Sequence, residues 1–381
     1  MTVGNRWDVL ILGGGVAGAA AALALARRGI SRVCIVEHGL HTTQRLGESI
    51  PPDTRVLLHE LGVLEEFLAA GHEACLGSCS SWGNERLGYN DFLLNPYGNG
   101  WHLDRHKFDR FLLEKAVESG AAVSEGTRFV DGERAGDDGF RLQLVGVDGK
   151  DHAALARFVV DATGLRSAFA RRVGASPRVL DRITLVYGFF ETADSSSISK
   201  LTMLEAVEDG WWYAARLSNH RLAVAFATDP EHIRRNALRS PNNWLARLQQ
   251  TLHIAPRLRG CRLVSDNLIA RPAPSFLLDR VAGERWLAVG DAASAYDPLS
   301  SQGIHKALAD GLRAADVVEA WLTSRIDQAA DYHSSTTAQF ADYVTNRNYF
   351  YDLETRWPAS PFWLRRQSRR SLDGESGHAY D

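Results

Sequence analysis

The stretch that most constrains the chain is Trp7–Glu37, WDVLILGGGVAGAAAALALARRGISRVCIVE. Val9 to Leu12 is a short apolar run of strand formers, and Gly13, Gly15 and Gly18 follow in G-x-G-x-x-G spacing. An Ala/Leu segment to Arg28 predicts a helix stopped by Gly29, and a second strand over 33–36 ends on Glu37. Gly13 permits a tight turn, Gly15 lets a pyrophosphate approach the backbone, and Gly18 lets helix and strand pack closely. The helix start at Val16 and Ala17 turns free N–H groups and a positive dipole end toward phosphate. Glu37 follows Gly18 by about 20 residues, where a carboxylate accepts ribose hydroxyls. A carboxylate there disfavours a 2′-phosphate, so the expected dinucleotide is FAD or NAD rather than NADP.

A second strand-to-helix passage comes late in the chain. The apolar run 286–289 enters GDAASAYDPLSSQGIH at 290–305, and a helix follows. Free N–H groups at Gln302, Gly303 and Ile304, beyond Pro298, would stabilise negative charge at the N1–C2=O edge of a flavin. Asp291 would accept from a ribityl or ribose hydroxyl. Between the two passages lie RLGESIPP at 45–52, with Arg45 and Glu48 on the side where a flavin ring would lie, and Arg105 at the start of a helix to Ser119. Glu48, His102 and His305 are the polar candidates near such a ring, with His305 placed nearest by its position after the loop. Each has a plainer reading as a structural hydrogen-bonding residue.

Residues 181–228 alternate and are rich in Val, Leu, Phe, Tyr and Trp, which predicts a second sheet without a phosphate motif, a candidate substrate lobe. Its aromatic cluster Trp211-Trp212-Tyr213 is either core or substrate wall; Trp211, Trp212 and Trp82 are taken as substrate-lining candidates. A long strand is expected over 262–271 and a helix over 328–351. Residues 357–370 are aromatic and then basic, which reads as a folded-back tail with solvated arginines rather than a dock for a partner or an anionic membrane. Residues 372–381 are polar and read as disordered.

At 381 residues the chain can bury a large core in two lobes, and a net charge of −3 gives no reason to expect nucleic acid. Cys34, Cys75, Cys79 and Cys261 are too few for a disulfide scaffold, and the single C-x-x-x-C pair does not make a zinc site. No metal site is expected. The apolar stretch 9–26 is preceded by Asp8 and interrupted by glycines, unlike a signal peptide, and no run approaches a membrane span. The expected location is the cytoplasm.

The fingerprint, VVDATG at 159–164 and GDAASAYDPLSSQGI at 290–304 together resemble the flavoprotein monooxygenases that share the p-hydroxybenzoate hydroxylase fold. The resemblance implies an α/β chain. It has a Rossmann-like FAD-binding domain of the glutathione reductase type over 1–74, 103–175 and 276–325, and a β-sheet-rich substrate domain over 75–102 and 176–275. C-terminal helix and tail occupy 326–381. It also implies FAD at Gly13, Gly15, Gly18, Glu37, Arg105, Asp291 and Gly303, with NAD(P)H as a transient reductant. RLGESIPP resembles the branch that holds flavin halogenases, but those enzymes need an early lysine, and no lysine precedes Lys107 here. They also carry a glutamate where this chain has Ser300, and their W-x-W-x-I-P strand is absent.

SSWG at 80–83, NPYGNGWHLDRHKFDRFL at 95–112 and GWWYAARL at 210–217 are similar to the LodB/GoxB-type flavoproteins. That likeness implies hydroxylation of a tryptophan in a precursor polypeptide, toward cysteine tryptophylquinone, by a hydroperoxide of the reduced flavin. Alternatives are a small-molecule aromatic hydroxylase, halogenase-like enzyme or reductase of secondary metabolism, and a flavin-binding accessory protein without chemistry.

Overall fold

The structure is a computed structural model and describes residues 6–39, 47–192, 199–264 and 268–367. Arg45 and residues 372–381 lie outside the described residues.

The apolar run ahead of the glycines becomes the strand Arg6–Leu12, inside an eight-stranded sheet. It pairs in parallel with Val33–Glu37 on one side and Asp151–Asp161 on the other. Ala122–Glu125 and Trp286–Ala288 extend the parallel part outward. A strand covered on both faces must be apolar throughout, and so Val9–Leu12 and Val33–Val36 are continuous buried runs rather than alternating ones. The glycine-initiated helix Val16–Arg27 packs on the long helix Gly303–Ser324. Small residues allow this approach: a Cβ on Gly311 would stand 2.6 Å from the Ala20 Cβ. In register, Leu12 pairs with Val36 and with Asp161, and Asp161 with Ala288. Four strand ends therefore meet at one edge of the sheet, where open α/β sheets place their ligands.

A second sheet of nine strands is mostly antiparallel. Its long strand Pro177–Glu191 lies between Ile269–Leu278 and Arg221–Thr228, and Gly210–Arg216 comes next. The two-residue alternation of a strand divides the aromatic cluster. Trp212 stacks on Phe226 at 4.7 Å between ring centres and packs with Trp244 in one core, whereas Trp211 joins Tyr351 and Trp363 in another.

Two expectations change. The strand expected over 262–271 is instead Ile269–Leu278, after a two-residue bridge at Arg262–Leu263. Pro272 and Pro274 lie within it, ahead of the Phe276–Leu277 stretch that pairs with Ser294–Ala295. Among the described residues that part of the strand has one open side, where a missing N–H breaks no ladder bond.

The C-terminal arginines are not all solvated. The short helix Pro361–Leu364 folds onto the second sheet, with Trp363 fully buried and its indole N–H donating to Val207 O at 3.0 Å. Arg366 is buried between Asp181 and Asp229, at 2.8 and 2.7 Å. Two enclosed carboxylates need a counter-charge, and this guanidinium supplies it. The helix expected over 328–351 is Ala329–Leu353. No described helix is long and apolar enough to cross a membrane.

Candidate functional site

The edge where the strand ends meet opens into a cavity of about 550 Å³. Its floor comprises Gly13 and Gly15, the turn Ala162–Gly164, and Val289 and Asp291. Gly13 has φ +110°, and a Cβ there would stand 2.3 Å from Ala162 O, so neither conformation nor space admits a side chain. Gly15, Val16 and Ala17 line the cavity, and no side chain caps the helix that starts there. Its first N–H groups are therefore left for another acceptor. Gly18 is not on the wall. A Cβ there would stand 1.9 Å from Gly13 O, so its absence closes the helix onto the turn.

Glu37 ends the neighbouring strand on the cavity wall. Its two oxygens accept from Gly14 N at 2.5 Å and Gly39 N at 2.6 Å. A carboxylate offers about four lone-pair sites, so each oxygen keeps capacity for a hydroxyl. Arg105 opens the helix Arg105–Glu118, whose first turn is capped by Asp104 accepting from Lys107 N at 3.2 Å. Its guanidinium grips buried Asp109 at 3.1 Å, donates to Gly47 O at 3.3 Å and reaches the cavity.

The second passage is pressed against the first. Gly290 has φ +58°, and a Cβ on it would stand 2.8 Å from the Ala17 Cβ. Buried Lys306 donates to Gly290 O at 2.8 Å and to Asp310 at 3.1 Å, and Asp310 accepts from Gly290 N at 2.9 Å. Further along the loop, Asp297 accepts from the Tyr351 hydroxyl at 2.7 Å. Asp291, Pro298, Gly303 and Ile304 line the cavity, and a Cβ on Gly303 would meet nothing within 4 Å. Asp291 opens to the cavity yet stands deep in the molecule; that enclosure raises its carboxyl above the usual range, opposed by Lys306 and Arg105.

The opposite wall comes from the second sheet and includes Trp211, Tyr213 and Arg271. Glu48 reaches the same space, at 2% exposure. Burial pushes its carboxyl up to about 7, against the pull of Arg105. Oε2 accepts from Gly47 N at 3.2 Å, while buried Oε1 has no hydrogen-bond partner.

Other candidates lie off the wall. Gln302 is the residue before the helix Gly303–Ser324 and does not line the cavity. His305 turns to the helix Thr54–Glu60, with Nδ1 3.1 Å from Thr54 Oγ1 and Asp53 nearby, and burial lowers its pKa. His102 is fully buried, its Nε2 2.9 Å from Thr202 Oγ1. Trp82 donates to Phe350 O at 2.6 Å and meets Trp363 edge-on, and Trp212 belongs to the other face of its strand. Sequence reasoning named Tyr213 within the aromatic cluster but not as a wall residue, and passed over Arg271 and the Lys306–Asp310 pair. Period-two counting from Trp211 finds Tyr213, and the i,i+4 spacing finds the pair. Arg271 carries no local signal.

A glycine floor, an uncapped helix start, an acid with spare lone pairs and room beside Gly303 fit a dinucleotide carrying a flavin. A family model described as FAD binding domain matches residues 6–348. The chain belongs to that family. It is a FAD-dependent oxidoreductase of the halogenase and monooxygenase type. This flavoprotein is 28% identical over 376 residues to the putative FAD-dependent oxidoreductase LodB of Marinomonas mediterranea, covering 98% of this chain and 100% of LodB. It is 27% identical to the sulochrin halogenase gedL of Aspergillus terreus, covering 89% of this chain and 68% of the halogenase. Among solved structures, the flavin-dependent halogenase CmlS superposes with a TM-score of 0.84 at 24% identity, covering 96% of this chain and 68% of CmlS. The peptidyl tryptophan dihydroxylase QhpG, essential for tryptophylquinone cofactor biogenesis, superposes at 0.74 and 24% identity, covering 95% and 78%. The two superpositions establish the fold.

Proposed function

We propose that this flavoprotein is a monooxygenase that hydroxylates a tryptophan side chain of a precursor polypeptide during biogenesis of a tryptophylquinone cofactor. The observation that carries the reading is the continuity of one cavity from the first glycine turn, past Asp291 and Gly303, to the aromatic wall of Trp211 and Tyr213. The whole-length likeness to LodB and the peptidyl tryptophan chemistry of QhpG support it. Among the described residues no lysine lines the cavity, which favours hydroxylation over halogenation.

In this reading Gly13, Gly15, Val16 and Ala17 receive the pyrophosphate and Glu37 the ribose hydroxyls. Arg105 and Asp291 hold the middle of FAD, and Pro298, Gly303 and Ile304 border its ring. FAD, once reduced by NAD(P)H, supplies the reaction with molecular oxygen. The chain's own work is to orient the indole, exclude water and hold the released proton, for which Glu48 is the group at hand. A nicotinamide reductant fits a cytoplasmic enzyme.

The test is mass spectrometry of a tryptophan-containing precursor after incubation with FAD enzyme, NADH and air. Added oxygen on the tryptophan is expected. Turnover of a free indole with an unmodified precursor would transfer the reading to a small-molecule hydroxylase. No NADH oxidation with either would leave an accessory protein, and halogen incorporation with bromide present would restore the halogenase reading.

A further inference from the structure

Behind Trp211 a run of oxidisable side chains leads from the cavity to the surface. Trp211 lines the cavity with Asp297 and Pro298, and its indole N–H donates to the buried Tyr351 hydroxyl at 3.2 Å. The Tyr351 hydroxyl in turn donates to Asp297 Oδ2 at 2.7 Å. The Tyr351 ring meets Trp82 at 6.2 Å and Trp363 at 5.8 Å between ring centres, and Trp82 meets Trp363 at 5.4 Å. Such spacings put the rings in contact. Trp82 is half-buried and reaches solvent, whereas Tyr351 and Trp363 are fully buried. Four segments distant in sequence supply the members. They are the strand Gly210–Arg216, the end of the helix Ala329–Leu353, the short helix Pro361–Leu364 and the turn after the strand Gly77–Ser81.

Indole and phenol are the aromatic side chains that give up a single electron most readily. An electron also crosses between touching rings far faster than a buried radical reacts. The difficulty is positive charge that cannot leave. Arg347 lies 4.4 Å over the Tyr351 ring, and a guanidinium there opposes a second positive charge. The bond to Asp297 removes the conflict, because the phenol proton passes to the carboxylate as the electron leaves and the ring gains no net charge. Burial raises the pKa of that carboxyl, against the pull of Arg347, which favours the transfer. A rival path lacks these features. Tyr296 also lines the cavity and stacks on Tyr343 at 4.1 Å. The Tyr343 hydroxyl accepts from Asp297 N and lies 2.7 Å from Ser275 Oγ, so among the described residues no carboxylate takes its proton. Its other ring contact is Phe340, which does not oxidise readily. At the outer end Trp357 touches Trp363 at 6.1 Å, but Arg356 lies 4.3 Å over the Trp357 ring, which marks Trp82 as the exit.

We propose that Trp211, Tyr351, Trp363 and Trp82 form a route along which electrons taken up at the surface quench one-electron oxidants in the flavin cavity. Oxidants derived from superoxide and peroxide are the class left there when reduced flavin meets oxygen and no substrate takes it. The oxidant gains one electron and Trp211 loses it. Tyr351 refills Trp211 while its proton goes to Asp297. Trp82, directly or through Trp363, refills Tyr351 as that proton returns. A soluble reductant such as ascorbate or a thiol refills Trp82, so the net change is one electron passed from that reductant to the oxidant. The route needs the oxygen chemistry of this enzyme type and is independent of the tryptophan reading above.

The experiment has two arms on the FAD-loaded enzyme. In the first, a light pulse turns the oxidised flavin itself into the one-electron oxidant, so neither substrate nor turnover is needed. Transient absorption follows the flavin radical and its aromatic partner. A long-lived radical pair is expected in the wild type, and ascorbate should shorten its life. Trp211→Phe and Tyr351→Phe should each remove most of that pair, whereas Tyr296→Phe and Trp357→Phe should leave it unchanged. Trp82→Phe should keep the pair but lose its sensitivity to ascorbate. That side chain is half-buried, so this variant guards against misfolding of the two core variants. No long-lived pair in the wild type, loss of the pair in Tyr296→Phe but not in Trp211→Phe, or full ascorbate sensitivity in Trp82→Phe would each overturn the route. In the second arm the flavin is reduced with dithionite and air is admitted without substrate. Peptide mass spectrometry then maps oxygen added to the enzyme's own side chains. Oxidation at Trp211 and Tyr351 should be greater in Trp82→Phe than in the wild type, and equal oxidation would overturn the quenching role.

Discussion

The two helix starts that border the cavity are built by different means. At Gly13–Gly18 the turn is held by steric exclusion, with glycines where a Cβ would strike backbone oxygen, followed by a helix of alanine and leucine. At Gly290–Gly303 the turn is held by charge and hydroxyl groups: Lys306 and Asp310 from its own helix, and Tyr343 and Tyr351 from the helix Ala329–Leu353. The first start tolerates almost no change of shape. The second has room at Gly303, though not at Gly290, and depends on partners that must all be present.

The largest expected effect lies at the first start. Gly13→Val meets both a left-handed backbone and the Ala162 carbonyl, and should cost about 4 kcal/mol or more. Thermal unfolding and loss of the yellow FAD complex measure it. Lys306→Met removes the bond to Gly290 O and one of the two cations on buried Asp310, Arg313 being the other, and should cost about 3 kcal/mol in chemical denaturation. Adding Asp310→Asn to it should recover part of that loss; if Lys306→Met alone is neutral, charge does not hold the second start.

Glu48 lies between the two and gives a pH signature. Its folded pKa is raised to about 7 from 4.5, so across that window the folded state keeps a proton that the unfolded chain has released. Stability therefore falls as pH rises from about 4.5 to 7. Glu48→Gln lacks that penalty, and its advantage over wild type should grow across the window to roughly 3 kcal/mol and then level off. Melting curves at stepped pH read it, and a flat difference would refute the raised carboxyl. The smallest effect is expected for Gly303→Ala. Its Cβ enters open space, so the fold should change by less than about 0.5 kcal/mol, with any loss confined to FAD affinity. The same kind of change, addition of a side chain, is thus ruinous at Gly13 and mild at Gly303.

The contrast explains what could be read in advance. The first start is local, and its strand, glycines, helix and acid lie within 31 consecutive residues, so spacing alone fixes their arrangement. The parallel core followed from continuous apolar runs for the same reason. What supports the second start is spread over distant segments. Nothing near Asp297 in sequence announces Tyr351, and nothing near Asp181 announces Arg366. His305 was placed near the cavity by its position in the loop, but the helix turn carries it toward Thr54 instead. Trp82, Tyr351 and Trp363 are individually ordinary, and only the fold brings their rings together. Trp212 shows the opposite case, since the alternation that sets it apart from Trp211 is present in the sequence and was masked by the run of aromatics.

Arg366 carries a consequence for how the protein matures. A ribosome works from the amino end, so both sheets are synthesised before this arginine exists. Arg366 and Arg347 share Asp181, and Arg347 also faces Asp297 on the cavity wall. The pocket's last corner is therefore fastened by residues translated after both sheets, and cofactor loading that needs the finished corner has to wait for them.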